Sequence, residues 1–175
     1  MRPGATVWLT GLSGAGKSTV CALVCEELER RGRRVEWLDG DALRRVLTAD
    51  LGFSERDRMI NIQRTVYVCR LLNRHGVIVL ASLITPYRHM RDYCREQLDV
   101  YYEVYVKCEL AVCIKRDVKG LYAKALAGEI PAFTGVSDRF EEPVRPELVL
   151  ETQRETVRQS ADKVLELLAQ NGYLD

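Results

Sequence analysis

Apolar residues along the chain alternate between two periods. Short β-branched and aromatic runs predict strands at Thr6–Thr10, Arg34–Leu38, Val77–Ser82, Tyr101–Val106 and Glu147–Glu151. Between them, Val20, Leu23, Val24 and Leu28 recur at helical steps, as do Ile62, Val66, Cys69 and Leu72. A last set is Val157, Ala161, Val164, Leu165 and Leu168. Each set lies on one face of a 3.6-residue helix. The run Val77 to Ala81 is apolar throughout, which predicts a strand buried on both faces of a helix-covered parallel sheet. A three-layer α/β/α domain of this kind places ligands at the carboxyl ends of its strands.

The pattern lapses from about Asp117 to Pro146, where Gly120, Gly128, Pro131, Gly135, Pro143 and Pro146 interrupt a charged stretch. A segment this long without periodicity is either functional or disordered. Its basic residues Lys115, Arg116, Lys119, Lys124 and Arg139 suit a lid closing over phosphates.

Composition narrows the class. The 175 residues fit a single domain, 1–175, with one sizeable core. A formal net charge of +1 argues against a nucleic-acid binder that relies on bulk phosphate neutralisation. No apolar stretch is long enough to span a bilayer and no signal-peptide core is present, so a cytoplasmic location is expected. The six cysteines (21, 25, 69, 94, 108 and 113) contain no C-x-x-C pair, and His75 and His89 lie outside zinc-type spacing. Reduced, mostly buried thiols are expected.

The strongest chemical signal follows the first strand. Gly11, Leu12, Ser13, Gly14, Ala15, Gly16, Lys17 and Ser18 form G-x-x-x-x-G-K-S, and Thr19 continues into a helix. Glycines let backbone amides curl around phosphates, the lysine reaches the β- and γ-phosphates, and the serine hydroxyl stands where Mg²⁺ is held. The helix N-terminus adds its positive dipole end. A nucleoside triphosphate is the expected ligand.

A carboxylate is needed beside that loop, and the third strand ends without the usual aspartate. Asp39 and Asp41, in Asp39-Gly40-Asp41-x-x-Arg44, are the best source of it, for Mg²⁺ held through water or for accepting a proton from an attacking hydroxyl. Asp41 can equally serve as a helix N-cap. Arg44, Arg58 and Arg88 then suit a second anionic substrate, because guanidinium forks bind phosphate or sulfate bidentately. In Phe53-Ser54-x-x-Asp57-Arg58-x-x-Asn61 an aromatic, a cation and an amide can stack on a base and bind its substituents.

These blocks, with Pro86-Tyr87-Arg88, Lys119-Gly120-Leu121-Tyr122 and Phe133-Thr134-Gly135, together resemble the adenylyl-sulfate kinases over nearly the whole chain. The resemblance implies a P-loop kinase fold with a five-stranded parallel sheet and a lid at about 117–146, and a homodimer. It implies phosphoryl transfer from ATP to adenosine 5′-phosphosulfate, giving 3′-phosphoadenosine 5′-phosphosulfate, and functional coupling to an ATP sulfurylase. Residue by residue, it puts the ATP phosphates on Gly11–Thr19 and the ATP adenine near Arg116, Thr134 and Gly135. Lys17, Asp41 and Arg58 become catalytic candidates, with Ser18 and Asp41 serving Mg²⁺. Asp41, Arg44, Phe53, Arg58, Asn61, Ile84, Lys119, Gly120, Leu121 and Phe133 bound the adenylyl-sulfate, with Phe53 on its adenine.

Two positions depart from the family pattern. A serine usual before Pro-Tyr-Arg, associated with carrying a phosphoryl group, is Thr85 here, which keeps a hydroxyl and a place among the catalytic candidates. Direct in-line transfer needs no such intermediate. The usual Asp-Pro-Lys-Gly at the lid entry is Asp117-Val118-Lys119-Gly120, which frees φ at position 118. Rival readings are a related kinase acting on another nucleotide-linked acceptor, such as a cytidine diphosphate derivative, and an ATP-sensing switch. The switch needs a water-positioning group, whereas Asp41 and the arginines suit an organic acceptor.

Overall fold

The computed structural model describes residues 2–174. Five parallel strands, β1 (Thr6–Thr10), β2 (Val35–Asp39), β3 (Ile78–Ser82), β4 (Tyr101–Lys107) and β5 (Leu148–Glu151), lie in the order β2-β3-β1-β4-β5. Their bounds differ from the expected ones by a residue or so. Asp39 belongs to β2, where it is level with Ser82 at the end of β3.

The strands alternate between two cores, as a period of two requires. Val7 and Leu9 of β1, Ile78 and Leu80 of β3, and Val104 and Val106 of β4 face one side. There they meet Val20, Val24 and Leu28 of α1 (Lys17–Arg30) and Val164 and Leu168 of α7 (Val157–Gln170). Trp8, Val79 and Ala81 face the other side, against Ile62, Val66 and Cys69 of α3 (Glu55–Arg74) and Met90 and Cys94 of α4 (Arg88–Gln97). Burying a side chain of this size contributes about 1.5–3 kcal/mol each. Cys21, Cys69, Cys94, Cys108 and Cys113 are buried free thiols, and Cys25 is half-buried.

Three short helices complete the chain: α2 (Gly40–Arg45), α5 (Leu110–Arg116) and α6 (Leu121–Leu126). Capping is local and legible. Thr156 and Gln159 form a reciprocal capping box at α7, and the Ser54 hydroxyl accepts from the Asp57 amide at α3. The irregular stretch after Asp117 carries local structure of its own. Asp117 accepts from the Tyr122 and Ala123 amides to start α6, and Phe133 then packs edge-on against Tyr122 at 5.1 Å. No helix among the described residues is long and apolar enough to cross a membrane.

Candidate active site

Because all strands run one way, the loops after β1, β2 and β3 open on the same edge, and there they bound a cavity of about 880 Å³. The loop after β1 is pressed against β4. A Cβ at Gly11 would stand 2.5 Å from the Val106 carbonyl oxygen, so only glycine fits. Gly16, at φ 103°, turns the chain into α1 with no side-chain cap. The first amides of α1 therefore have no capping side chain, the arrangement that binds anions at helix N-termini.

Lys17 is buried and donates to the Gly11 and Leu12 carbonyls at 2.9 and 2.7 Å. Burial, then the positive charge of Lys119, lowers its pKa to about 8. The rest of the loop is braced from outside. Tyr122 donates to the Ser13 carbonyl at 2.7 Å, Thr152 to that of Ala15 at 2.5 Å and Arg116 to that of Gly14 at 3.2 Å. Arg116 also donates to the Thr152 carbonyl, so its guanidinium links the P-loop to the turn after β5. Thr152 escaped the sequence reading, and its only signal is a polar residue just beyond a strand's carboxyl end.

The two aspartates separate in role. Asp39, at the end of β2, is the N-cap of α2 and accepts from the Asp41 and Ala42 amides, each at 3.1 Å. The cap is thus Asp39 and not Asp41. The other Asp39 oxygen accepts from the Ser18 hydroxyl at 3.0 Å and the Ser82 hydroxyl at 3.3 Å. Asp39 thus occupies the ground beside Ser82 where the third strand lacks an acid. Asp41, two residues on, pairs with Lys119 from the lid entry. Hydroxyl and carboxylate oxygens are the hard donors that Mg²⁺ takes, with phosphates and water completing its shell. Ser18 and Asp39 fit that ion at their contact, with Asp41 also on the cavity wall.

Phe53 is 55 % exposed and lines the cavity with two guanidinium groups near its ring. Arg44 stands 4.5 Å and Arg58 5.6 Å from its ring centre. Arg58 is 7 % exposed and is held by the Phe53 and Ala132 carbonyls, each at 2.9 Å. Burial and then Arg58 itself pull the Arg44 pKa below the ordinary arginine value. Two cations held together against one cavity wall favour an anion there. Two buried oxygens, Asn61 Oδ1 and Thr134 Oγ1, have no hydrogen-bond partner among the described residues, and both residues line the same cavity. Buried polar atoms are ordinarily paired, so a ligand with matching groups fits.

Ile84, Leu121 and Phe133 also line the cavity. Leu12, Ala15, Gly11, Gly120 and Gly135 are outside its lining. Gly135 packs on Leu12 and Leu110, and Gly120 starts α6 in a left-handed turn. Thr85 lines the cavity, but its hydroxyl is already engaged. It accepts from Trp8 Nε1 at 2.8 Å and donates to the Leu83 carbonyl at 3.3 Å, with φ at 48°. Arg88 points elsewhere, its backbone amide and guanidinium bonding Glu141 and Glu142.

Comparisons with known proteins bear on the fold and the family. The family model described as adenylylsulphate kinase matches residues 3–151. The adenylyl-sulfate kinase of Halothermothrix orenii is 52 % identical over 172 residues, covering 98 % of this chain and 93 % of the relative. That of Gloeothece citriformis is 50 % identical over 171 residues, with 98 % and 97 % covered. The Mycobacterium tuberculosis APS kinase, solved in complex with AMPPNP and APS, superposes with a TM-score of 0.93 at 41 % identity, covering 97 % of this chain and 99 % of that one. With a family model spanning most of its length and relatives of this similarity, the chain belongs to the adenylyl-sulfate kinase family.

Proposed function

We propose that this chain transfers the γ-phosphate of ATP to the 3′-hydroxyl of adenosine 5′-phosphosulfate. The observation that carries the reading is one cavity with two unlike ends. A P-loop and uncapped helix start lie at one end, and Phe53 with Arg44 and Arg58 at the other. The triphosphate lies along Gly11–Thr19, with its adenine toward Arg116, Thr134 and Gly135. Arg44, Arg58 and Asn61 hold the phosphosulfate nucleotide, Phe53 stacks on its adenine, and Ile84, Lys119, Gly120, Leu121 and Phe133 close around it.

In this reading Asp41 accepts the proton of the 3′-hydroxyl as its oxygen forms a bond to the γ-phosphorus. The bond between that phosphorus and the β–γ bridging oxygen breaks, and ADP leaves. Lys17 and the loop amides neutralise charge on the transferring group. Ser18, Asp39 and Asp41 would hold Mg²⁺, which would supply charge neutralisation on the phosphates. Arg58 steadies the acceptor, and residues 117–146 close over both substrates and exclude water. Thr85 contributes backbone placement rather than a phosphoryl carrier, which its bonds to Trp8 and Leu83 support.

The chain acts as one domain in the cytoplasm and pairs with a second copy, a reading supported by exposed Tyr67 and Leu71 on α3 and exposed Val46. Its acceptor arises by adenylyl transfer to sulfate, the reaction an ATP sulfurylase performs. ADP release should be measured with adenosine 5′-phosphosulfate, AMP, a cytidine diphosphate derivative and water as acceptors. Turnover with adenosine 5′-phosphosulfate well above the others is expected. Turnover with a different acceptor and none with this one overturns the reading.

A further inference from the structure

Arg91, on the second turn of α4, is 2 % exposed, although its helix is otherwise largely polar. Its Nη1 donates to the Thr85 carbonyl at 2.7 Å, and its Nη2 donates to the Glu141 carbonyl. Its Nε lies 3.9 Å from the buried Glu103 carboxylate on β4, and the Phe140 ring lies 5.7 Å from its Cζ. Those two carbonyls belong to different loops. Thr85 sits between Ile84 and Pro86, which line the acceptor side of the cavity. Glu141 lies in the limb by which the lid returns to the sheet.

The same joint is stitched at three more points. The Glu141 amide donates to the Pro86 carbonyl at 2.8 Å, the Arg88 amide to the Glu141 carboxylate at 2.7 Å, and the Tyr87 hydroxyl to Asp138 at 2.6 Å. The lid entry is tied to a different partner, the P-loop, through the buried Tyr122, whose hydroxyl donates to the Ser13 carbonyl at 2.7 Å. Asp117 has φ 28°, Val118 is exposed, and Lys119 crosses to Asp41 as a half-exposed pair. The lid is therefore held to the P-loop near its entry and to the β3–α4 loop at its return.

We infer that Arg91 is a positioning residue that clamps the lid's return limb to the β3–α4 loop, and so sets the width of the acceptor end of the cavity. A planar guanidinium holds two carbonyls in fixed directions while Glu103 neutralises its charge. A lysine in its place keeps the charge but cannot hold both carbonyls in that plane. The effect falls on the acceptor because the limb leads back to Ala132, whose carbonyl holds Arg58, and to Phe133.

This rests on the acceptor assignment above, so the test includes an arm independent of turnover. In Arg91→Lys, hydrogen exchange at the Glu141 amide should quicken by about ten-fold or more while amides of α7 keep their protection. In steady-state kinetics the KM for adenosine 5′-phosphosulfate should rise by about ten-fold or more, with the KM for ATP within about two-fold. Arg91→Met should show both effects more strongly. If it fails to fold, the lysine variant decides alone. Unchanged exchange at Glu141 overturns the clamp whatever the acceptor proves to be. Quickened exchange with both KM values rising together overturns its link to the acceptor end. Failure of the wild-type protein to use adenosine 5′-phosphosulfate strikes the functional reading and leaves the exchange result standing.

Discussion

Lys119 of the lid entry and Asp41 of α2 form an ion pair across the mouth of the cavity. Both side chains are about half exposed, so the pair adds little to stability. Its meaning is positional: the lid's lysine and the proposed proton acceptor share one spot, and a substrate hydroxyl arriving there must come between them. Asp41→Asn is expected to lower kcat by ~10²–10⁴, the scale of general-base catalysis, with the unfolding midpoint almost unmoved. Steady-state ADP release beside a thermal melt checks it, and an unchanged kcat removes Asp41 from the chemistry.

Asp39 is expected to behave differently, because it caps α2 as well as facing Ser18. Asp39→Ala should cost about 0.5–2 kcal/mol of stability through the lost cap. It should also raise the Mg²⁺ concentration needed for half-maximal rate, which Asp39→Asn should do with a smaller loss of stability. A Mg²⁺ titration of rate, with urea unfolding of both variants, separates the two contributions.

For Lys17→Ala, transfer should fall to background while the far-ultraviolet circular dichroism stays native. Among the described residues the side chain hydrogen-bonds the carbonyls of its own loop, so the cores do not depend on it. Near-normal turnover in this variant would falsify the P-loop assignment.

The pH response follows from the same lysine. Its pKa in the folded chain, about 8, lies below its ordinary value of 10.5, so between those values the unfolded chain holds more protons. The contribution of Lys17 to stability is therefore unfavourable below pH 8 and is relieved as pH rises toward 10.5. Without nucleotide, urea midpoints should carry that upward contribution over the window, and Lys17→Met should lack it. The KM for ATP should rise in the same range, because the neutral amine no longer attracts phosphate.

Thr85→Ala should retain most of kcat and lose stability by about 1–3 kcal/mol, because Trp8 Nε1 is left as a buried, unpaired donor. Mass spectrometry of the wild-type protein after turnover should show no phosphothreonine. A variant that folds but transfers nothing makes the hydroxyl a participant.

The strand–loop–helix around Lys17, the five strands and the apolar faces of α1, α3 and α7 were legible, because burial on two faces or one stripe leaves a strong period, though Val157 at the start of α7 is exposed. The pairing of Ser18 with Asp39 rather than Asp41 was not, since it depends on β2 ending level with Ser82. Nor was α4 foreseen: only Met90, Arg91 and Cys94 of its ten residues are buried. A buried arginine bonded to carbonyls distant in sequence is indistinguishable, in a string of letters, from one on a solvated face. The lid stretch lacked a period because it meets the body through scattered single side chains, such as Phe140 stacked on Tyr105 of β4 and Tyr122 in the core, rather than through one continuous helix or strand face.

Five strands running one way sort the molecule into a working rim and a plain one. The turns at 31–34, 75–77 and 98–100 enter the strands at the edge away from the cavity and supply none of its lining residues. Extra residues, a fluorophore or a fused domain placed in those turns therefore meet the chemistry only through the sheet, and this rim is where the scaffold accepts additions with its reaction intact.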